Sequence, residues 1–317
     1  MDGAEYLATT SHHIIEDSMI PERQNDAEAQ KLLKARQQLW HKAQRTMVFQ
    51  INVTVVVPIV LALVALLHPV VRPYGATFAL FISVVDASLL DRAYRGLMKR
   101  AAKASEQFDC TVLELPWNEF LVGGKLDPET IHEEATSYER RTSDSALKDW
   151  YSPAATALPH HLSRIVCQRT NLWYDAKLRA AYSNSIPAAL CIICAALAFA
   201  GLLVNLTLSD FVLTILAPMA PLVLWSVREY FRQRDAAAGQ DSLKTSAEAF
   251  WKAASDGQIT PDGATKKSRE FQDAIFTRRA SSPLLPPGIY WTYRSRLEEQ
   301  MKVGAEALVA EYGSKQP

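Results

Sequence analysis

Long polar stretches alternate along this chain with four apolar runs, and the runs come in two pairs. Residues 47–67 and 76–90 make the first pair, and residues 186–206 and 211–227 the second. Each approaches the roughly 20 apolar residues that a helix rising about 1.5 Å per residue needs to cross about 30 Å of hydrocarbon. The pattern predicts four transmembrane helices in two hairpins. The polar stretches also carry a helical period. Ala29, Leu32, Leu33, Leu39 and Trp40 recur loosely between charges, predicting a helix over 26–45 that runs into the first span. A basic helix is expected over 92–107, and then 108–115 reads as a short strand closed by Pro116. Asp127 and Pro128 offer an N-cap and a first-turn proline for a helix over 128–141, and 162–183 forms a helical run into the third span. Three more helices are expected beyond the fourth span, over 228–254, 265–280 and 290–312, with turns at Asp256-Gly257 and Pro261-Asp262-Gly263 and a loop over 281–288.

The expected fold class is therefore mainly α. Its organisation reads as an N-terminal cytosolic helix (1–46), hairpin 1 (47–91), a cytosolic segment suited to sensing (92–185), hairpin 2 (186–227) and a C-terminal cytosolic helical region (228–317). The middle segment and the tail should pack into one helical domain with at most a small strand element.

Composition alone conceals this plan: the formal net charge is zero and the mean hydropathy is −0.06, values that suit a soluble enzyme. Charge distribution restores it. The links inside the pairs, 68–75 and 205–210, carry a single basic residue, Arg72, while every lysine lies in the remaining polar segments. The positive-inside rule then places both termini and the middle segment in the cytoplasm. Residues 1–46 lack the short apolar core of a secretory signal, so the first span is expected to direct insertion. The four cysteines suit a reducing interior, and no disulfide framework is expected. Cys191 and Cys194 have dithiol spacing, but within an apolar helix they lack the electropositive setting that makes a thiolate.

Catalytic signatures are missing: there is no glycine-rich phosphate loop, no His-Glu-x-x-His, no zinc-type cysteine pairing and no Gly-x-Ser-x-Gly elbow. The pairs His12-His13 and His160-His161 have no carboxylate or thiol companion at ligand spacing, so no metal is expected. An enzyme is not expected, and no catalytic residue or cofactor is assigned. Polar residues within the spans carry more information. Gln50, Asn52 and Thr54 in the first span, and Asp86 in the second, are costly against lipid and should face protein or water. Asn52 and Asp86 are the candidate pore-lining residues; for Asp86, a position at the headgroups is an equal alternative. Pro218 and Pro221 should bend the fourth span, as a hinge or as a tolerated kink.

The polar segments also collect arginine and aromatic residues. Trp117, Arg140, Trp150, Tyr151, Arg169, Asn171, Trp173, Arg278 and Arg279 are the candidate ligand contacts, beside Tyr290 and Trp291 with Arg294 and Arg296. Arginine forks pair phosphates and aromatic rings stack on bases, so the ensemble suits an anionic ligand with flat bases. The bland alternative for each is a solvated charge or a core aromatic.

Several motifs in fixed order resemble those of the SMODS-associated four-transmembrane effectors of bacterial anti-phage defence. They are Ile20-Pro21-Glu22-Arg23-Gln24-Asn25, Phe108-Asp109-Cys110-Thr111-Val112-Leu113-Glu114-Leu115-Pro116-Trp117-Asn118, Asp149-Trp150-Tyr151, Cys167-Gln168-Arg169-Thr170-Asn171-Leu172, and Gln272-Asp273-Ala274-Ile275-Phe276 with Arg278. The resemblance implies an effector in the bacterial inner membrane that senses a cyclic di- or trinucleotide made by a partner nucleotidyltransferase. It would then permeabilise the membrane and arrest or kill the infected cell. Four helices are too few walls for a water-filled path, so a homo-oligomer within the bilayer is expected, with no DNA or RNA partner. Arg169 and Arg278 would hold phosphates, and Trp150 or Trp173 would stack a base. Two other readings use the same spans: a constitutive small-solute channel or transporter, and a membrane-tethered scaffold or enzyme.

Overall fold

The computed structural model describes residues 18–141 and 147–315, except the side chains of residues 87, 91, 287, 290 and 291. His12, His13, Tyr290 and Trp291 thus fall outside the described residues or side chains. In chain order the helices are α1 (Ile20–Arg23), α2 (Ala27–Leu67), α3 (Pro69–Val112), α4 (Glu119–Val122), α5 (Pro128–Glu139), α6 (His160–Leu203), α7 (Leu208–Ser255), α8 (Pro261–Ser281) and α9 (Pro287–Lys315). A single 3-10 turn, Pro153–Ala157, precedes α6.

Four of these helices, α2, α3, α6 and α7, are long and apolar enough to cross a membrane, and each continues well past its apolar part into the polar half. No loop interrupts them at that border. Their apolar windows are only 33%, 24%, 17% and 39% buried within the chain, so most of the apolar surface there needs lipid or another subunit. Leu80, Phe81, Val84, Ile192 and Phe199 all point outward. Inside, Ala62, Leu66, Leu197, Ile215, Met219 and Leu222 form the seam where the two hairpins meet. The link of hairpin 2 turns through Asn205 in the left-handed region, and Thr207 then caps α7 by accepting from the Asp210 amide at 3.2 Å. An ion pair between Arg72 and Asp210 joins the two links.

Three wider π turns interrupt the spans, at Asn52–Val56, Asp86–Leu90 and Val212–Leu216. Two have an evident cause. Pro58 and Pro218 each lack the N–H that an α-helix would aim at the carbonyl four residues back, at Thr54 and Thr214, and each follows the π turn containing that residue. The bend expected at Pro218 is thus accompanied by a widened turn just before it.

The polar half is built of helices joined by loops, with no strand among its described residues. Residues 108–112, expected in a strand, continue α3 instead. Ala101, Ala104, Phe108 and Val112 are fully buried at three- and four-residue spacing, a helical face. Extending a formed helix also needs no new nucleus, whereas a lone strand has no neighbour to pair with. The helix ends where Glu114 takes φ 50° and the Leu115 amide returns to the Cys110 carbonyl at 3.0 Å. Around Phe108 and Val112 lies a core of Ile20, Leu33, Tyr138, Tyr151 and Cys167. A second core joins Leu158, Leu162 and Ile165 to Trp251 and Ala305, and a third joins Leu172 and Ala247 to Phe271 and Ile275. The middle segment and the tail pack together as expected, because α8 lies against both α3 and α6.

Candidate functional site

The family-like motifs, scattered over 250 positions of sequence, meet in one buried polar network. Asp109 on α3 is its centre: one oxygen accepts from the Tyr151 hydroxyl at 2.7 Å, and the other from Gln272 at 2.8 Å and from the Arg279 guanidinium. Glu106, one turn earlier, accepts from Gln272 at 2.8 Å and Arg269 at 2.5 Å. Gln168 on α6 donates to the Ser268 carbonyl at 2.8 Å. Burial and the neighbouring Asp109 carboxylate push the Tyr151 phenol well above its ordinary range, so it remains a donor. The first motif closes the same region. Gln24 exchanges two hydrogen bonds with the Tyr151 backbone, at 2.6 and 3.2 Å, and Asn25 exchanges two with Asp149. Asp149 sits at φ 53°, a conformation those contacts stabilise. These motif residues tie α1, α3, α6 and α8 to one another.

The nine candidate ligand contacts consequently separate. Tyr151 and Arg279 belong to the buried network. Trp150 packs on the Phe108 core beneath the Arg36 guanidinium, 4.2 Å from its ring centroid. Arg169 holds Glu248 of α7 at 2.6 Å, and Gly304 of α9 passes close to its guanidinium, where a Cβ would lie 3.2 Å away. Trp173 packs with Leu178, Tyr182 and Leu285 near the membrane border. Asn171 is half-buried and Arg140 is exposed. Trp117 donates to the Gly123 carbonyl at 2.9 Å and lies on Ala102, Val122 and Phe276. The structure brings no single pocket together from these nine.

One of them does line an open groove. About 550 Å³ of space lies between α4, α7 and α8, bounded by Asn118, Phe120, Leu121, Leu243, Asp273 and Arg278. Phe120 is fully exposed at its mouth. Asn118 caps α4 by accepting from the Leu121 amide at 3.2 Å and donates to Asp273 at 2.9 Å, which fixes the aromatic turn against α8. Asp273 is neutralised by Arg269 at 2.8 Å. The Arg278 side chain makes no ion pair or hydrogen bond among the described residues, and its guanidinium lies over the α7 backbone at Gly239, where any Cβ would overlap it. A volume of this size, with an exposed ring and an uncompensated guanidinium, suits a small anionic ligand bearing a flat ring. Phe120, Leu121 and Leu243 were not legible as site residues, since nothing in sequence separates an exposed apolar side chain from a core one.

The groove connects to the membrane border through four residues. Immediately after α8, the segment Ser282 to Leu285 turns into the bundle. There the Pro283 carbonyl accepts from Arg179 at 2.6 Å, the Leu284 carbonyl accepts from Gln233 at 2.9 Å, and the Leu284 amide donates to the Tyr94 hydroxyl. Gln233 also donates to Glu229 at 2.8 Å. Beside it, Asp86 is buried against Arg228, at 2.5 Å, and Gln50, which joins α3 to α7 and α2. Thr54 faces the same way, its hydroxyl bonded to the Gln50 carbonyl at 2.7 Å. Asn52 instead lies on the outer surface and donates to its own Val48 carbonyl at 2.8 Å.

Comparison with known proteins places these features in context. Residues 18–308 match the profile of the SMODS-associating 4TM effector domain. A Bacillus cereus (strain VD146) protein described as a probable CBASS effector molecule is 25% identical over 289 residues, covering 88% of this chain and 95% of the relative. No solved structure matches the chain.

Proposed function

We propose, from the premise that this chain belongs to the SMODS-associating 4TM effector family, that it is the membrane-acting output of a CBASS anti-phage system, switched by a cyclic di- or trinucleotide. Both termini and the polar half lie in the bacterial cytoplasm, and the spans cross the inner membrane. The ligand, made by a partner nucleotidyltransferase, enters the groove between α4, α7 and α8. Arg278 pairs a phosphate there and Phe120 stacks a base. Assembly of several copies then opens a path across the bilayer, because one four-helix bundle with an apolar seam has no room for water.

The observation that carries this reading is the continuity from groove to membrane. Arg278 lies one turn before the end of α8, and the strap at Pro283 and Leu284 follows directly. A ligand that moves the last turn of α8 therefore acts on Arg179, Gln233 and Tyr94, where α6, α7 and α3 enter the polar half. Ligand shifts the equilibrium only by its differential affinity for the two arrangements, so the groove must differ between them.

The test is dye release from liposomes holding the purified full-length protein, screened against cyclic di- and trinucleotides, with binding measured in parallel. One nucleotide should bind and trigger release. Arg278→Ala and Phe120→Ala should each weaken binding by about tenfold or more, the loss expected of a charge-assisted hydrogen bond or a base stack. Undiminished binding in both variants places the ligand elsewhere, and bound ligand without release removes the pore.

A further inference from the structure

A second cavity lies where the polar half meets the membrane, and it has a different chemistry from the groove. An open cleft of about 350 Å³ is lined by His41, Gln44, Arg45 and Val48 of α2 together with Arg141 at the end of α5. The four α2 residues stand at positions i, i+3, i+4 and i+7, so they form one face of the helix. The His41 ring stacks on Tyr138 of α5, with centroids 6.0 Å apart and planes 24° from parallel, which holds one wall in place.

Charge is unevenly compensated along α2. Lys34 and Lys42 are paired with Glu139 and Glu134 at 2.8 and 2.6 Å. Arg45 and Arg141, by contrast, are exposed and have no carboxylate partner among the described residues. Two guanidinium groups therefore converge on one cleft with no carboxylate partner among the described residues. Its depth is also defined. Arg45 precedes Gln50 by five residues, about 7.5 Å along a helix, and Gln50 belongs to the polar contact with Asp86 and Arg228. The headgroup layer on each side of a bilayer is about 5 to 7 Å thick. With the contact of Gln50, Asp86 and Arg228 taken as the edge of the hydrocarbon, Arg45 falls at headgroup level, while Val48 and Phe49, exposed by 39% and 58%, begin the apolar surface directly above.

We propose that this cavity binds the headgroup of an anionic phospholipid, with its phosphate between Arg45 and Arg141 and an acyl chain running over Val48 and Phe49. Basic pockets at the cytoplasmic ends of membrane helices suit such headgroups, and the continuous apolar surface distinguishes a lipid from a soluble phosphate. Binding would clamp α5 to α2 at the membrane surface.

The experiment uses the full-length protein in nanodiscs of equimolar phosphatidylglycerol and phosphatidylcholine, with retained lipid read by native mass spectrometry. The unaltered protein should retain phosphatidylglycerol in preference, and the double variant Arg45→Gln with Arg141→Gln should lose that preference by about tenfold. Lys99→Gln with Arg100→Gln removes two exposed cations of α3 with the same change in net charge, and it should retain the preference. Equal loss in both double variants would reduce the effect to general charge. Equal retention in the unaltered protein and the Arg45/Arg141 variant overturns the site, as does full displacement of the lipid by inorganic phosphate or a soluble cyclic dinucleotide.

Discussion

Arg278 and Arg279 are neighbours in sequence with opposite surroundings, because successive helical residues point about 100° apart. Arg279 turns inward to Asp109, and Arg278 turns outward over Gly239. Arg279→Ala leaves the Asp109 carboxylate buried with one charge partner fewer and should cost about 3 to 5 kcal/mol, seen as a lower unfolding midpoint. Arg278→Ala should leave that midpoint within about 0.5 kcal/mol. His160, at the polar end of α6, gives a second residue-level expectation. Burial first, then Arg164, push its pKa down to about 4, while Glu114 at 2.9 Å pulls the other way and Arg23 adds to the depression. Folding therefore disfavours the imidazolium, and the unfolded chain binds the proton more tightly. His160 contributes fully above about pH 6.5, and its contribution drains as pH falls toward about 4. Measured stability of His160→Gln should lack that part of the slope. Sequence exposed the arginine pair but not this division, since the facing helix decides which of two adjacent charges is paired.

Among the elements, the spans were legible because length and apolarity suffice to define them, and the helix over 128–141 was legible from its first-turn Pro128; the turn expected at Pro261-Asp262-Gly263 is instead the first turn of α8, capped by Thr260. The segment 108–115 was misread because Val112, Leu113 and Leu115 crowd around a helix end, where a turn gives local alternation without a strand. The groove was illegible for a different reason: its walls come from α4, α7 and α8, and only their packing joins Phe120 to Leu243 and Arg278. Gly239 is the position where this packing is most exacting. Gly239→Leu should displace the Arg278 guanidinium and lower nucleotide binding by about tenfold. The unfolding midpoint should change little, because the displaced group is the free end of a flexible side chain. A large loss of stability instead would show that Arg278 also holds α7 to α8.

In the whole molecule, the hairpins meet through an apolar seam with an ion pair at either end, Asp86 with Arg228 and Arg72 with Asp210. Asp86→Arg should destabilise the closed bundle by about 1 to 3 kcal/mol, a range set by the burial of the acid and the partial exposure of Arg228. Arg228→Asp should do the same. The combined exchange should recover most of the loss, and leakage from liposomes without nucleotide should rise in the single variants and subside in the double. The buried network around Asp109 joins motifs far apart in sequence and holds the polar half in one piece.

The π turns give the spans a property that a regular helix lacks. A π turn accommodates one residue more than the surrounding α-helix requires, so the faces before and after it are out of phase by about 100°. In α2 that offset separates Gln50, turned toward Asp86, from the residues beyond Val56 that contact hairpin 2. Each such span behaves as two keyed shafts on one axle. Rewinding a single turn would re-aim an entire apolar face toward a new neighbour while every backbone hydrogen bond outside that turn stays in place.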